Sequence, residues 1–153
     1  MLRLEIPERH PLELEYLLLD VNGTLTRQGR LLGGVAERIE SLTGALEIRL
    51  LSADTFGSLD AVAAQLRVDA QVAAGGADKL EAICALGADR CVAIGNGAND
   101  VSMLEHAALG IAVLGGEGTS AAALAAGDLV CASILDALDL LQDPRALVAT
   151  LRT

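Results

Sequence analysis

The run Tyr16-Leu17-Leu18-Leu19-Asp20, followed by Val21-Asn22-Gly23-Thr24-Leu25-Thr26, constrains the fold more than any other stretch. Successive apolar residues without polar alternation, bounded by turn-forming residues, read as a strand buried on both faces. Such strands belong to parallel sheets with helices packed on either side. Asp20 then stands at the strand's C-terminal end, the edge where open α/β sheets bind ligands. A carboxylate there can cap the following turn, ligate a metal or attack phosphorus. The stretch alone leaves these open.

The rest of the chain repeats the pattern. Leu2, Leu4 and Ile6 alternate with charges, as do Leu12, Leu14 and Tyr16, and Pro7 to Pro11 separates the two runs. This predicts a two-stranded N-terminal ribbon, with His10 exposed in its turn. Residues 21–33, rich in Gly, Thr and Arg, are expected to be loop. Further strands are expected at 46–52, 68–73, 90–95, 110–114 and 129–131. Helices are expected at 34–42, 58–66 (behind a Ser58 cap), 77–86, 101–108, 119–126, 134–141 and 144–152, the last with Pro144 as its first residue. Strands alternating with short helices predict a doubly wound, three-layer α/β/α parallel sheet. The connections are too short to hold a second domain, so residues 1–153 read as a single domain.

Composition narrows the function. Aromatics are only 1 % of the 153 residues against 52 % hydrophobic, so Leu, Ala, Val and Ile must fill the core. A net charge of −10 without a basic run argues against nucleic-acid or anionic-membrane partners. No apolar run approaches the ~20 residues that span a bilayer, and the N-terminus lacks an apolar signal core. Cys84, Cys91 and Cys131 lie in apolar surroundings without metal-ligand spacing and read as reduced packing residues of a cytoplasmic protein.

In a parallel sheet all strand C-termini open on one edge. Asp20 and Asn22 end the first strand of the sheet. Ser52 and Asp54 end the second, and Asn96, Asn99 and Asp100 follow the fourth. Lys79, the only lysine, begins the helix before that fourth strand. Two carboxylates with amide and backbone oxygens suit Mg²⁺. A hydroxyl, an ammonium and glycine-exposed N–H groups suit a phosphate. A carboxylate beside both can become an acyl phosphate. A compact ammonium also fits against phosphate where a guanidinium fork would crowd it.

These residues resemble the motifs of the haloacid dehalogenase-like (HAD-like) hydrolase superfamily, over nearly the whole chain. Asp20-Val21-Asn22-Gly23-Thr24 stands where that family has Asp-x-Asp-x-Thr. Ser52 stands where it has Ser or Thr, Lys79 where it has Lys, and Gly95-Asn96-Gly97-Ala98-Asn99-Asp100 imperfectly where it has Gly-Asp-x-x-x-Asp. Within the superfamily the likeness is strongest to the phosphorylation domain of P-type ATPases. That domain's Asp-Lys-Thr-Gly-Thr-Leu-Thr agrees with Asp20 to Thr26 except at the second and third positions. Residues 25–51 cannot hold a nucleotide-binding domain, and no membrane helices are present. The resemblance is to a soluble, free-standing P-type-ATPase-like domain with a Rossmann-like fold and no cap. Capless members of such families often admit large substrates or close the site by oligomerisation, so a homo-oligomer is compatible with it. Without a cap, substrate specificity is expected to lie in loops 25–33, 53–58 and 114–119.

The resemblance implies a Mg²⁺-dependent phosphatase or phosphotransferase acting on a small phosphorylated substrate through an aspartyl phosphate on Asp20. Thr24, Ser52 and Lys79 would serve the phosphate. Asp20, the Asn22 carbonyl, Asn96 and Asp100 would serve the metal. Asp54 is expected to cap or orient, Asn99 to brace its loop, and His106 to lie on a helix surface. Two positions depart from the family. Asn22 replaces the Asp that protonates the leaving group and activates water, and an amide carries no proton in either direction. P-type ATPases also lack that Asp. Asn96 replaces the Asp that binds Mg²⁺ directly, which lowers the site's negative charge. Together they favour good leaving groups and a longer-lived intermediate. They also leave open a second reading: a catalytically weak protein that works as a phosphate- or metal-binding regulatory or interaction module.

Overall fold

The computed structural model describes residues 1–55 and 57–153. Strand β1 (Leu2–Leu4) pairs antiparallel with β2 (Leu12–Leu14), which buries Leu4 and Leu14 against the last helix (Pro144–Leu151) and the core. His10 is exposed in the intervening turn. The chain then enters β3 (Tyr16–Asp20), in which Leu17, Leu18 and Leu19 are fully buried.

Residues 21–33 are not wholly loop. Thr26–Arg27 (β4) and Arg30–Leu31 (β5) form a small antiparallel hairpin. Its turn places Gln28 and Gly29 both at positive φ, the conformation that matches the twist of a two-residue hairpin. Without an Asn-Gly or Asp-Gly pair this turn is hard to read from sequence.

The remaining elements follow in chain order: α1 (Val35–Leu42), β6 (Glu47–Ser52), α2 (Leu59–Leu66), β7 (Asp69–Val72), α3 (Gly76–Leu86), β8 (Cys91–Gly95), α4 (Val101–His106), β9 (Leu109–Val113), α5 (Ala121–Ala126), β10 (Leu129–Cys131), α6 (Ile134–Leu141) and α7 (Pro144–Leu151). Six parallel strands make one sheet in the order β10-β9-β8-β3-β6-β7. The expected doubly wound, three-layer α/β/α fold is what the chain forms. Among the described residues only the hairpin and α1 separate β3 from β6, so no domain is inserted there.

Side chains of each strand alternate between the two faces. Leu17 and Leu19, Ile48 and Leu50, Val92 and Ile94, and Ile111 and Val113 enter the larger core, beneath α1, α2, α6 and α7. Leu18, Leu51, Ala93 and Ala112 enter a smaller core of mostly small residues, beneath α3, α4 and α5. Asp20 shares the parity of Leu18 and so turns toward the α3 side. Chain direction reverses at the β3–β8 neighbourhood, because the chain runs outward through β6 and β7 and then returns to β8 on the other flank. That reversal is where such sheets open a crevice.

Several local expectations need correction. The Ser58 side chain does not cap α2; Asp54 Oδ1 instead accepts from the Leu59 amide at 2.9 Å. Cys84 is exposed rather than packed, while Cys91 and Cys131 are buried, and all three are free thiols. Strand β7 is exposed along its whole length as the outer edge. Pro144 does open α7, behind Asp143, whose side chain accepts from the Ala146 amide at 3.2 Å. No helix among the described residues is long and apolar enough to cross a membrane.

Candidate active site

Five side chains form one hydrogen-bonded chain across the sheet edge. Lys79 Nζ donates to Asp100 Oδ1 at 2.6 Å and to Asp20 Oδ1 at 2.7 Å. The Thr24 hydroxyl lies 2.8 Å from Asp20 Oδ2 and 3.1 Å from Asn96 Oδ1. Asp20 comes from the end of β3, Thr24 from the loop after it, Lys79 from the first turn of α3, and Asn96 and Asp100 from the segment after β8. Asp100 Oδ2 accepts from the Asn96 and Gly97 amides at 3.0 and 2.8 Å, so this carboxylate folds the segment and aims Lys79 at once.

Lys79 and Asp100 are completely buried, and Asp20 is 5 % exposed. A buried ammonium is tolerated because two carboxylates flank it. Burial works to lower the Lys79 pKa, but Asp20 and Asp100 outweigh it and the net shift is upward. Burial, and then repulsion from Asp100, raises the Asp20 carboxyl from 3.8 to about 6, against the pull of Lys79 and Thr24.

Ser52 is also buried, at the end of β6. Its hydroxyl oxygen accepts from the Asp54 amide at 2.9 Å and from Asn22 Nδ2 at 3.3 Å. Both contacts use its lone pairs, which leaves the Ser52 O–H free to donate. Asp54, at φ +57, caps α2 as expected.

Asp20, Asn22, Thr55, Asn96, Asn99 and Glu117 line a cleft of about 290 Å³ at this edge. Asn99 is exposed and its side chain makes no hydrogen bond among the described residues, so it faces the cleft rather than bracing the loop. His106 is exposed, as expected. Of the loops expected to carry specificity, 53–58 contains Phe56, which lies outside the described residues. The loop at 114–119 contributes Glu117, which the motifs do not reveal. Its only sequence signal is an acid isolated among Gly115, Gly116 and Gly118.

The donor set fits a hard cation. Asn96 Nδ2 donates to the Gly118 carbonyl at 2.8 Å, which leaves its Oδ1 turned toward Thr24 and the site. Oxygens of Asp20 and Asn96 thus meet at one hydroxyl. No group of three or more His, Cys, Asp or Glu capable of holding a metal is found among the described residues. A metal here would rest on few charges and several neutral oxygens.

A buried carboxylate held by a lysine thus stands at the switch point of the parallel sheet, at the edge of an open cleft. In the family comparison, residues 67–132 match haloacid dehalogenase-like hydrolase. The chain belongs to the haloacid dehalogenase-like hydrolases. An uncharacterized protein of Methanocaldococcus jannaschii is 46 % identical over 63 residues, which cover 41 % of this chain and 68 % of that protein. Among solved structures, the 3-deoxy-D-manno-octulosonate 8-phosphate phosphatase of Moraxella catarrhalis, in complex with magnesium, phosphate and KDO, is similar. Its TM-score is 0.71 at 17 % identity, over 90 % of this chain and 92 % of that one. A zinc-transporting PIB-type ATPase is similar with TM-score 0.66 at 27 % identity, over 79 % of this chain but only 20 % of the pump.

Proposed function

We propose that this protein is a cytoplasmic, Mg²⁺-dependent phosphohydrolase or phosphotransferase that works through an aspartyl phosphate on Asp20. The observation that carries the reading is the buried Asp20–Lys79–Asp100 arrangement, of which Asp20 lines the cleft. Asp20 attacks phosphorus, the bond from phosphorus to the leaving group breaks, and Asp20 holds the phosphoryl group until water displaces it. The free O–H of Ser52 and the third N–H of Lys79 donate to the phosphoryl oxygens. Thr24 orients the attacking carboxylate. Asp20, the Asn22 carbonyl and Asn96 Oδ1 would hold Mg²⁺, with Asp100 contributing charge while its own oxygens hold Lys79 and two amides. When bound, Mg²⁺ offsets the repulsion between carboxylate and phosphate. The similarity to a phosphatase solved with magnesium and phosphate supports this cofactor.

Asn22 cannot protonate a leaving group, and such help is commonly worth roughly 10²–10⁴-fold. Substrates with good leaving groups, small acyl phosphates or phosphoanhydrides, therefore suit the site best. Asn22 and Asn96 together also favour a second reading, a weakly active protein that binds phosphate or metal as a regulatory module. One experiment separates the two. The protein is incubated with beryllium fluoride and Mg²⁺ and its structure solved, and acetyl phosphate turnover is measured beside it. An adduct on Asp20 and turnover abolished in Asp20→Asn are expected. Turnover unchanged in Asp20→Asn would overturn the assignment, and an adduct without turnover would favour the regulatory reading.

A further inference from the structure

The position that usually carries the proton-transferring Asp is Asn22, yet the cleft is not without a second carboxylate. Glu117 lines the same cleft as Asp20 and Asn22, and these two acids are its only titratable lining residues among the described ones. Unlike Asp20, Glu117 is exposed; its Oε1 meets the Gln28 amide, the Arg27 side chain lies against the neighbouring Gly116, and its Oε2 has no hydrogen-bond partner among the described residues.

Its loop is tied to the site at several points. Gly118 N donates to the Gly115 carbonyl at 3.1 Å, closing a tight turn with Glu117 as its third residue. Thr119 Oγ1 accepts from Gly115 N at 3.1 Å and donates to the Val113 carbonyl at 2.9 Å, which anchors the turn to the end of β9. Ser120 N donates to the Asn96 carbonyl at 2.8 Å. Asn96 Nδ2 donates to the Gly118 carbonyl at 2.8 Å. From the other side, the Gln28 amide of the β4–β5 hairpin lies 3.4 Å from Glu117 Oε1.

The Asn96–Gly118 contact changes the meaning of the second departure. An Asp at position 96 has no hydrogen to donate and would set a charge against the Gly118 carbonyl. Asn96 therefore does something the usual residue cannot: its side chain fastens the Glu117 turn to the catalytic segment. Asn22 and Glu117 thus line one cleft, and Asn96 fastens the turn that carries Glu117.

We propose that Glu117 is the general base of the second half-reaction. This rests on the aspartyl-phosphate reading. A water oxygen forms a bond to phosphorus while one of its protons passes to the Glu117 carboxylate. The bond between phosphorus and the Asp20 oxygen breaks, and Asp20 leaves as a carboxylate. Inorganic phosphate departs and Glu117 returns the proton to solvent. Position 22 takes no part, and no co-reactant besides water is needed.

The test follows phosphoenzyme formation and decay separately, using radiolabelled acetyl phosphate and Mg²⁺ in the full chain. Glu117→Gln should still acquire the label but lose it about 10²-fold more slowly, the lower end of what a positioned base contributes. Its decay should also depend less on pH than that of the wild type. The double variant Asn22→Asp with Glu117→Gln should recover decay, because the acid has been returned to the family's usual position. Decay in Glu117→Gln at the wild-type rate, with label still found on Asp20, overturns the base assignment and leaves the aspartyl-phosphate reading standing. Slow decay that Asn22→Asp does not restore, with the pH dependence unchanged, shows a structural role for the turn and also overturns it. Absence of label on Asp20 in the wild type overturns the underlying reading, and this proposal with it.

Discussion

Lys79 Nζ lies 2.7 Å from Asp20 Oδ1 in a site where the lysine is wholly buried and Asp20 nearly so. Its second ion pair, to Asp100 at 2.6 Å, means that one ammonium compensates two carboxylates. Removing the ammonium leaves two buried carboxylates uncompensated, and breaking a buried pair in this way commonly costs about 3–5 kcal/mol. Lys79→Met should lose stability of that order at pH 7, measured by urea unfolding. The sign with pH is definite. Lys79 pulls the Asp20 carboxyl downward, so without it that carboxyl is pushed further up and the loss should shrink as pH falls and it becomes protonated. A loss that grew toward acid pH would contradict this account of the cluster.

Asp20 itself contributes a pH-dependent cost. Its folded pKa of about 6 lies above the ordinary 3.8, so between these values the unfolded chain gives up its proton before the folded one does. Stability therefore falls as pH rises from about 4 to 6 and stays lowered above that, by roughly 3 kcal/mol for a shift of this size. Asp20→Asn removes this slope. The variant should melt at a higher temperature than wild type at pH 7 and match it more closely near pH 4. Scanning calorimetry across that range checks it.

The same shift sets the onset of chemistry. Only the carboxylate form of Asp20 attacks phosphorus. In single-turnover experiments at limiting Mg²⁺, labelling of Asp20 should rise about tenfold per pH unit well below 6 and level off above it. Saturating Mg²⁺ should move the inflection to lower pH, because a bound cation favours the charged form. An inflection that Mg²⁺ leaves in place would mean that Asp20 does not ligate the metal.

How much of this was legible beforehand depends on the kind of signal. Tyr16 to Asp20 carries its strand, its burial and its place at the sheet edge in composition alone, because the apolar run and its turn residues admit few other conformations. Lys79 was legible for a chemical reason, as a lone ammonium opening a helix before a catalytic strand. The hairpin at Thr26–Leu31 was not, since its turn uses Gln28 and Gly29 and its strands are two residues each. The cap of α2 is legible only in part: Asp54 reads as a capping or orienting residue, but the helix end reads as belonging to Ser58. Ser58 has the right type and place, but Asp54, held at positive φ, reaches the Leu59 amide first. Glu117 was invisible because its partners, Gln28 and the loop that Asn96 holds, are distant in sequence and converge only when β9 lies beside β8.

Gly115 reports on the close approach of two loops. A methyl group there would fall within the contact distance of the Gly23 carbonyl oxygen, in the loop that follows Asp20. Gly23, at φ +78, is itself in a region that side chains rarely adopt, and its backbone has little freedom to yield. Gly115→Ala should therefore push the 115–118 turn away from the catalytic loop. Turnover of acetyl phosphate should fall at least tenfold while the melting temperature changes by only a few degrees, since the 115–118 turn that yields lies outside the apolar core. A similar loss from Gly44→Ala, where a methyl group meets nothing and the backbone is not left-handed, would point to general glycine sensitivity instead.

Asn96→Asp pulls the site in two directions, and the balance is measurable. The new carboxylate adds a negative charge beside Asp20 and supplies a charged oxygen for Mg²⁺, so metal should bind more tightly, by an amount that isothermal titration reports. The same charge raises the Asp20 pKa further and requires metal to bring it back down. The substitution also removes the donor that holds the Gly118 carbonyl at 2.8 Å. Amide hydrogen exchange at Gly118 and Thr119 should accelerate in Asn96→Asp without metal, because the turn is then anchored through fewer bonds. The expected variant is thus a tighter metal binder with a looser turn, and its phosphoenzyme should decay more slowly than wild type even at saturating Mg²⁺. Adding Asn22→Asp should reverse that slowing, since proton transfer then no longer depends on where the 115–118 turn sits. Faster decay in Asn96→Asp alone would show that metal charge, rather than the placement of Glu117, limits the wild-type reaction.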